Sequence, residues 1–145
     1  MKRLLFFLSI ISLSTFAHNK TVHYEPAIIE LIGQLDLQTF PGAPNYESIK
    51  NGDEVETHFY LKLKNPIDVI AFSKDAESSL KSESFYNVQI LQLVVHDEKH
   101  MSILRKTGEG GHVKIRGTLF HRFTGHHHSR VLLEVENIKK FDEVR

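Results

Sequence analysis

The sequence predicts an all-β domain that contains a single helix. Three observations carry this prediction. Apolar residues recur at every second position in several segments, and clusters of turn-forming residues separate those segments. The third observation is that only one segment reads as a helix. It begins at Asp97, carries Met101 and Leu104 three positions apart, and ends before Gly108.

The first two predicted strands lie on either side of a long turn-rich segment. Apolar side chains alternate through residues 29–37, with Gly33 inside the run, where glycine suggests a bend or a bulge. The alternation resumes through residues 57–64. Between the two strands, residues 40–56 contain two prolines and two glycines. Loops of this length in a compact domain tend to be functional or disordered.

Three further strands complete the predicted set. Residues 87–96 form a dense apolar run typical of a strand buried on both faces. After the helix over residues 97–107, alternation returns in residues 112–121, with Gly117 inside, and in residues 131–136. The order β-β-β-α-β-β is that of a five-stranded OB-like barrel, which we assign to a single domain over residues 27–141. The predicted core includes Leu61, Leu63, Val113, Ile115, Val131 and Leu133.

The first 17 residues, MKRLLFFLSIISLSTFA, have the layout of a secretory signal peptide. A positive start precedes a short apolar run, and small residues lead to Ala17. We therefore expect export to the periplasm or beyond, with cleavage after Ala17. Residues 18–26 are expected to form a mobile mature N-terminus. No later apolar stretch is long enough to cross a membrane, so we expect no span in the mature chain.

The composition argues against several functional classes. The chain has no cysteine, which excludes a thiol nucleophile and a thiolate zinc site. Its formal net charge is +0 at pH 7, which gives no bulk attraction to nucleic acid. We find no set of nucleophile, base and orienting residue, and therefore predict that the protein is not an enzyme.

Four of the ten histidines lie in the segment GTLFHRFTGHHHSRVLLEV. We expect His126 and His128 to share one face of the last strand and His121 to lie across the turn from them. The three imidazoles would then form a site for zinc, copper or nickel. The alternative is a polar hairpin tip whose imidazoles bond to backbone and water. A less favoured copper site is the mature N-terminus with His18 and His23, which we expect to be a flexible end instead.

The two unusual loops also suggest a binding surface, since OB barrels commonly bind ligands through loops in these positions. We expect the loops to meet near Tyr46. The same aromatic residues could instead plug the ends of the barrel. We therefore predict an exported binding module for an unknown small ligand; the alternative is an inhibitor or immunity-type protein that blocks an exported partner enzyme. The candidate ligand-binding residues are Phe40, Tyr46, Phe120, Arg122 and Phe123.

The chain also resembles a family of small exported bacterial proteins known only as a domain of unknown function. The resemblance rests on the segments PGAPNYESIKNGDE and GTLFHRFTGHHHSRVLLEV, which match the family's P-NYESI-GD and GTLFH-TGHHH-VLLEV patterns. It extends over roughly Tyr24 onward. It implies an exported bacterial protein with an OB-like barrel, and it implies no activity and no ligand.

Overall fold

Across the residues that the structure describes, the fold consists of six strands, one α-helix and one short 3-10 turn. The computed structural model describes residues 18–71 and 83–142, so the expected signal peptide lies outside the described residues. The helix, α1 (Glu98–Thr107), is capped by Asp97, whose side chain accepts a hydrogen bond from the His100 amide, and it ends before Gly108, as expected. The elements are β1 (Lys20–His23), β2 (Ile28–Pro41), the 3-10 turn (Ile49–Asn51), β3 (Val55–Ile70), β4 (Phe85–Val94), α1 (Glu98–Thr107), β5 (His112–His121) and β6 (Val131–Lys140).

Strands β2 to β6 form a closed five-stranded barrel. The strands follow one another around the barrel in the order β3, β2, β5, β6 and β4, and β4 pairs back onto β3 to close it. All of these pairings are antiparallel except the parallel pairing of β4 with β6. The β-β-β-α-β-β order and the closed barrel confirm the predicted fold class.

Two glycines allow neighbouring strands to approach closely where the barrel curls. A Cβ atom added at Gly33 would lie 2.5 Å from the carbonyl oxygen of Lys62. One added at Gly117 would lie 1.9 Å from the carbonyl oxygen of Glu134. The register of β5 against β6 also shifts between Arg116 and Gly117, as in a β-bulge. These positions therefore need glycine because any side chain would collide with the adjacent backbone.

The interior of the barrel is a single apolar core. Helix α1 contributes Leu104, which has no exposed surface. The core prediction is confirmed, because all six predicted residues are buried members of this cluster. Within the described parts of the chain, no helix is both long and apolar enough to cross a membrane.

The N-terminal segment differs from the expectation of a mobile arm. Lys20–His23 forms β1, which pairs in parallel with residues 67–70 of β3. The side chains of Val22 and Tyr24 are buried in the core cluster. A four-residue strand with one apolar residue has no period to detect, and its hydrogen-bond partner is a strand more than 40 residues away. Local sequence therefore gave no signal for it.

A second buried layer lies on the outer face of the barrel. The strand registers place Tyr60 of β3 beside Gln92 of β4, and Gln92 beside Leu132 of β6. All three are buried, yet none belongs to the interior cluster. Because side chains alternate between the two faces of a strand, these residues point away from the barrel interior. The loop of residues 122–130, between β5 and β6, hydrogen-bonds to Gln92 from this side. We call it the histidine loop.

Candidate metal and ligand site

A cluster of one carboxylate and two imidazoles lies on the outer face of the barrel. Strand alternation places Glu56 and His58 side by side on β3, and the histidine loop brings His128 over them. Oε2 of Glu56 lies 3.2 Å from Nε2 of His58 and 3.8 Å from Nε2 of His128. One ligand atom from each of the three residues lies within 4.8 Å of the others. Within residues 18–71 and 83–142, this is the one group of three or more such side chains that could hold a metal ion.

His126 joins this cluster to the loop between β2 and β3. Its Nδ1 lies 2.9 Å from Oε1 of Glu56, and its Nε2 lies 3.3 Å from the hydroxyl of Tyr46. The two rings meet edge to face, with centroids 5.3 Å apart. A neutral imidazole satisfies both contacts when Nδ1–H donates to Glu56 and Nε2 accepts from the Tyr46 hydroxyl. The two loops expected to meet near Tyr46 therefore do so through His126.

His128 is held in a dry environment with an unused nitrogen. Its ring stacks on Phe40, with centroids 3.9 Å apart and planes within 2°. Its Nε2 is buried and has no hydrogen-bond partner. Burial lowers the pKa of His128, and the nearby His58 lowers it further. The imidazole is therefore neutral at pH 7, which is the form that binds metal ions.

Glu56 is ionised at neutral pH. Burial acts to raise the pKa of its carboxyl, but hydrogen bonds from His126 and His58 outweigh burial, and the pKa is lowered. The cluster thus offers one carboxylate and two imidazoles, a donor set that zinc uses in proteins. Metal–ligand bonds of about 2.0–2.2 Å in a tetrahedral site put the ligand atoms about 3.3–3.6 Å apart. The 3.2 Å and 3.8 Å separations around Glu56 are close to that range.

The loop that carries Tyr46 is fixed by a buried carboxylate. Asp53 accepts hydrogen bonds from the backbone amides of Asn45, Glu47 and Ser48, at 3.0, 2.8 and 2.8 Å. These backbone hydrogen bonds lower the pKa of Asp53, and the one from Ser48 has the largest effect on it. The long turn-rich segment is therefore an ordered loop, and it holds Tyr46 with a positive φ of 59°.

The histidine loop is fixed by the side chain of Gln92. Its Nε2 donates to the carbonyl oxygen of His126 at 2.8 Å, and its Oε1 accepts from the amides of His128 at 2.7 Å and Ser129 at 3.2 Å. Gln92 is 2% exposed, so water cannot easily replace these bonds. It is a positioning residue for His126 and His128, and sequence reasoning did not identify it.

The predicted trio of His121, His126 and His128 is not assembled. His121 meets the edge of Tyr24, with ring centroids 6.3 Å apart. It has the strand parity of the inward-facing Leu119, so it points away from the outer face where His126 and His128 lie. The group that could hold a metal ion instead combines His128 with the carboxylate of Glu56 and the imidazole of His58. Their signal in the sequence was an acidic and an imidazole residue two positions apart at the start of a strand.

The residues predicted to bind a ligand fall into two groups. Phe40, Arg122 and Phe123 line a shallow depression of about 490 Å³ that also includes His128. Phe120 packs beneath them against Phe123, with centroids 5.8 Å apart. Tyr46 does not line this depression and contacts His126 instead.

Of the two N-terminal histidines, His23 is the last residue of β1 and His18 lies two residues before that strand. Nδ1 of His23 lies 3.3 Å from the carbonyl oxygen of Ile70. Hydrogen bonds from the Asn87 amide and the Asn19 side chain lower the pKa of Asp68, and the nearby His18 lowers it further. Their imidazoles thus lie next to β3.

Part of the chain matches a known protein family. Residues 90–139 match the family described as Domain of unknown function (DUF4431). No curated protein matches the chain. The matched region runs from β4 to β6, so it includes Gln92, His126 and His128 and leaves out Glu56 and His58.

Proposed function

We propose that this protein binds a divalent transition metal, with zinc the best fit, through Glu56, His58 and His128. The observation that carries the proposal is the buried Nε2 of His128, which has no hydrogen-bond partner and lies 3.8 Å from Oε2 of Glu56. An unsatisfied buried polar atom costs about 1–3 kcal/mol. A metal ion between these atoms would remove that cost.

The donor chemistry selects the class of metal. Two imidazoles favour zinc, copper and nickel over magnesium and calcium, which prefer oxygen ligands. His126 supports the site from outside, because its hydrogen bond to Glu56 orients the carboxylate. Three protein ligands leave one tetrahedral position for water or another ligand. We propose binding and not catalysis, in line with the sequence analysis.

The proposed setting is the periplasm or the exterior of a bacterial cell. It is supported by the layout of residues 1–17 and by the resemblance of two segments to a family of exported proteins. In such a compartment the absence of cysteine leaves imidazole and carboxylate as the available metal ligands.

Isothermal titration of the tag-free mature protein with zinc, copper and nickel tests the proposal. We expect one zinc site of micromolar affinity or better. Glu56→Gln and His128→Phe should each weaken zinc binding at least tenfold, and phenylalanine keeps the stack on Phe40. His121→Phe is the matched control in the same hairpin and should bind zinc like the wild type. Unchanged binding by His128→Phe, or loss of binding in His121→Phe, would refute the assigned site.

A further inference from the structure

The barrel wall opens next to the proposed metal site. The β3–β4 ladder ends at the pair Tyr60 and Gln92, and beyond it β4 pairs with β6. Residues 57–59 of β3 and residues 93–95 therefore separate and leave a groove of about 470 Å³. Because the groove lies between two strands, side chains from both of their faces line it.

The two sides of this groove differ in chemistry. Its lining on the core side is apolar and includes Leu37, Phe59 and Met101. Its lining on the outer side includes His58 and two residues of the histidine loop, His126 and His127. His58 belongs both to the groove and to the metal-binding cluster. A ligand in the groove would therefore reach the metal with one end.

We infer, on the basis of the proposed function, that the groove binds a small carboxylic acid with an apolar tail. The tail lies along the apolar lining and the carboxylate takes the open metal position. The groove volume falls within the range of about 300–1,000 Å³ that is usual for small-molecule sites.

The charges of the site favour a carboxylate head group. A divalent metal bound by one carboxylate, Glu56, and two neutral imidazoles keeps a net positive charge, which an anionic oxygen ligand neutralises. Arg105 also lines the groove, but Glu98 holds its guanidinium at 2.6 Å. The metal is therefore the positive charge that the ligand would meet at the His58 end.

Octanoate, acetate and 1-octanol are the probes, titrated into zinc-loaded and zinc-free protein. We expect octanoate to bind zinc-loaded protein at least tenfold more tightly than acetate, because only octanoate places methylene groups on the apolar lining. We also expect at least tenfold weaker octanoate binding without zinc, and at least tenfold weaker binding of 1-octanol, which lacks the carboxylate. Equal affinities for octanoate and acetate, for the two metal states, or for octanoate and 1-octanol would each overturn the inference.

A groove variant separates this inference from the proposed function. Met101→Trp should fill the groove and weaken octanoate binding at least tenfold, with zinc affinity unchanged. Met101→Leu conserves side-chain volume and should change neither. A wild-type protein that binds zinc but not octanoate overturns the groove assignment and leaves the metal site intact. A protein that binds no zinc overturns both. The wild-type probe series decides the matter even if Met101→Trp does not fold.

Discussion

Replacement of Gln92 by leucine tests how the histidine loop is held against the barrel wall. The glutamine makes three hydrogen bonds to the backbone of that loop, and its side chain is 2% exposed. Leucine is similar in volume, although it branches one carbon closer to the backbone, and it can neither donate nor accept a hydrogen bond. The change therefore removes the polar contacts and largely preserves packing.

The expected cost follows from the three backbone groups that lose their partner. A typical hydrogen bond contributes about 1 kcal/mol net, and a buried group left unpaired costs about 1–3 kcal/mol. The carbonyl of His126 can turn to water because this residue is exposed, whereas Ser129 is buried. We therefore expect the free energy of unfolding to fall by about 2–4 kcal/mol. We also expect zinc affinity to fall at least tenfold, because His128 loses the bond that fixes its amide.

Urea unfolding, monitored by circular dichroism, measures the free energy of unfolding. Zinc titration of the folded variant measures its zinc affinity. Gln34→Leu is the matched control. Gln34 is an exposed strand residue whose side chain donates one hydrogen bond to the carbonyl of Gly110. It should change stability by less than about 1 kcal/mol and leave zinc affinity unchanged. A loss of under 1 kcal/mol in Gln92→Leu, or unchanged zinc binding, would show that the loop is held in place by other contacts.

Four further predictions concern the fold and the chain start. Leu133→Ala should lower the free energy of unfolding by about 2–5 kcal/mol, because Leu133 is fully buried; a loss under about 1 kcal/mol would contradict its place in the core. Gly117→Ala should cost about 1–3 kcal/mol in the same assay, since its methyl group would meet the Glu134 backbone, and an unchanged stability would disprove the close approach. The lowered pKa of Asp53 means that its carboxylate stabilises the fold above about pH 4 and that this contribution disappears as the pH falls through the folded pKa. Wild type should therefore lose more unfolding free energy than Asp53→Asn between pH 6 and pH 3. Equal losses in the two proteins, measured by urea unfolding, would contradict the role of the Asp53 carboxylate in holding the loop. Mass spectrometry of the mature protein should find His18 as the first residue, and a chain that still begins at Met1 would contradict cleavage.

The sequence was sufficient for the fold because local patterns determine most of it. Alternation located four of the five barrel strands, a dense apolar run located β4, and Asp97 and Gly108 marked the ends of the helix. Glycine inside a strand pattern suggested a bend or a bulge, and the register of β5 against β6 does shift between Arg116 and Gly117. Each of these signals lies within one element, where residue spacing alone carries the information. Strand β1 was missed because its order comes from β3, a distant partner.

The proposed metal site was predicted only in part, for a reason of geometry. We expected His126 and His128 to lie on the last strand and share a face, but β6 begins at Val131 and both histidines lie in the loop before it. Strand alternation therefore does not predict which way the side chains of these two histidines point. They meet Glu56, some 70 residues away, because of the way the loop folds back onto β3. Neither local spacing nor composition encodes that contact.

The histidine loop folds back onto β3 because of a residue on the outer face of β4. The run of residues 87–96 suggested a strand buried on both faces, and the structure confines such burial to Leu91, Gln92 and Leu93. Leu91 and Leu93 face the core, and Gln92 faces outward under the histidine loop. An outward glutamine on a barrel wall would normally be solvated. Here it is buried because it supplies both a donor and an acceptor to the loop backbone. A leucine could supply neither, a carboxylate could only accept, and a cationic side chain could only donate, with a buried charge as a further cost. The same amide thus closes the outer layer of the fold and sets the imidazole of His128 against Glu56, so stability and metal affinity should respond together when Gln92 is changed.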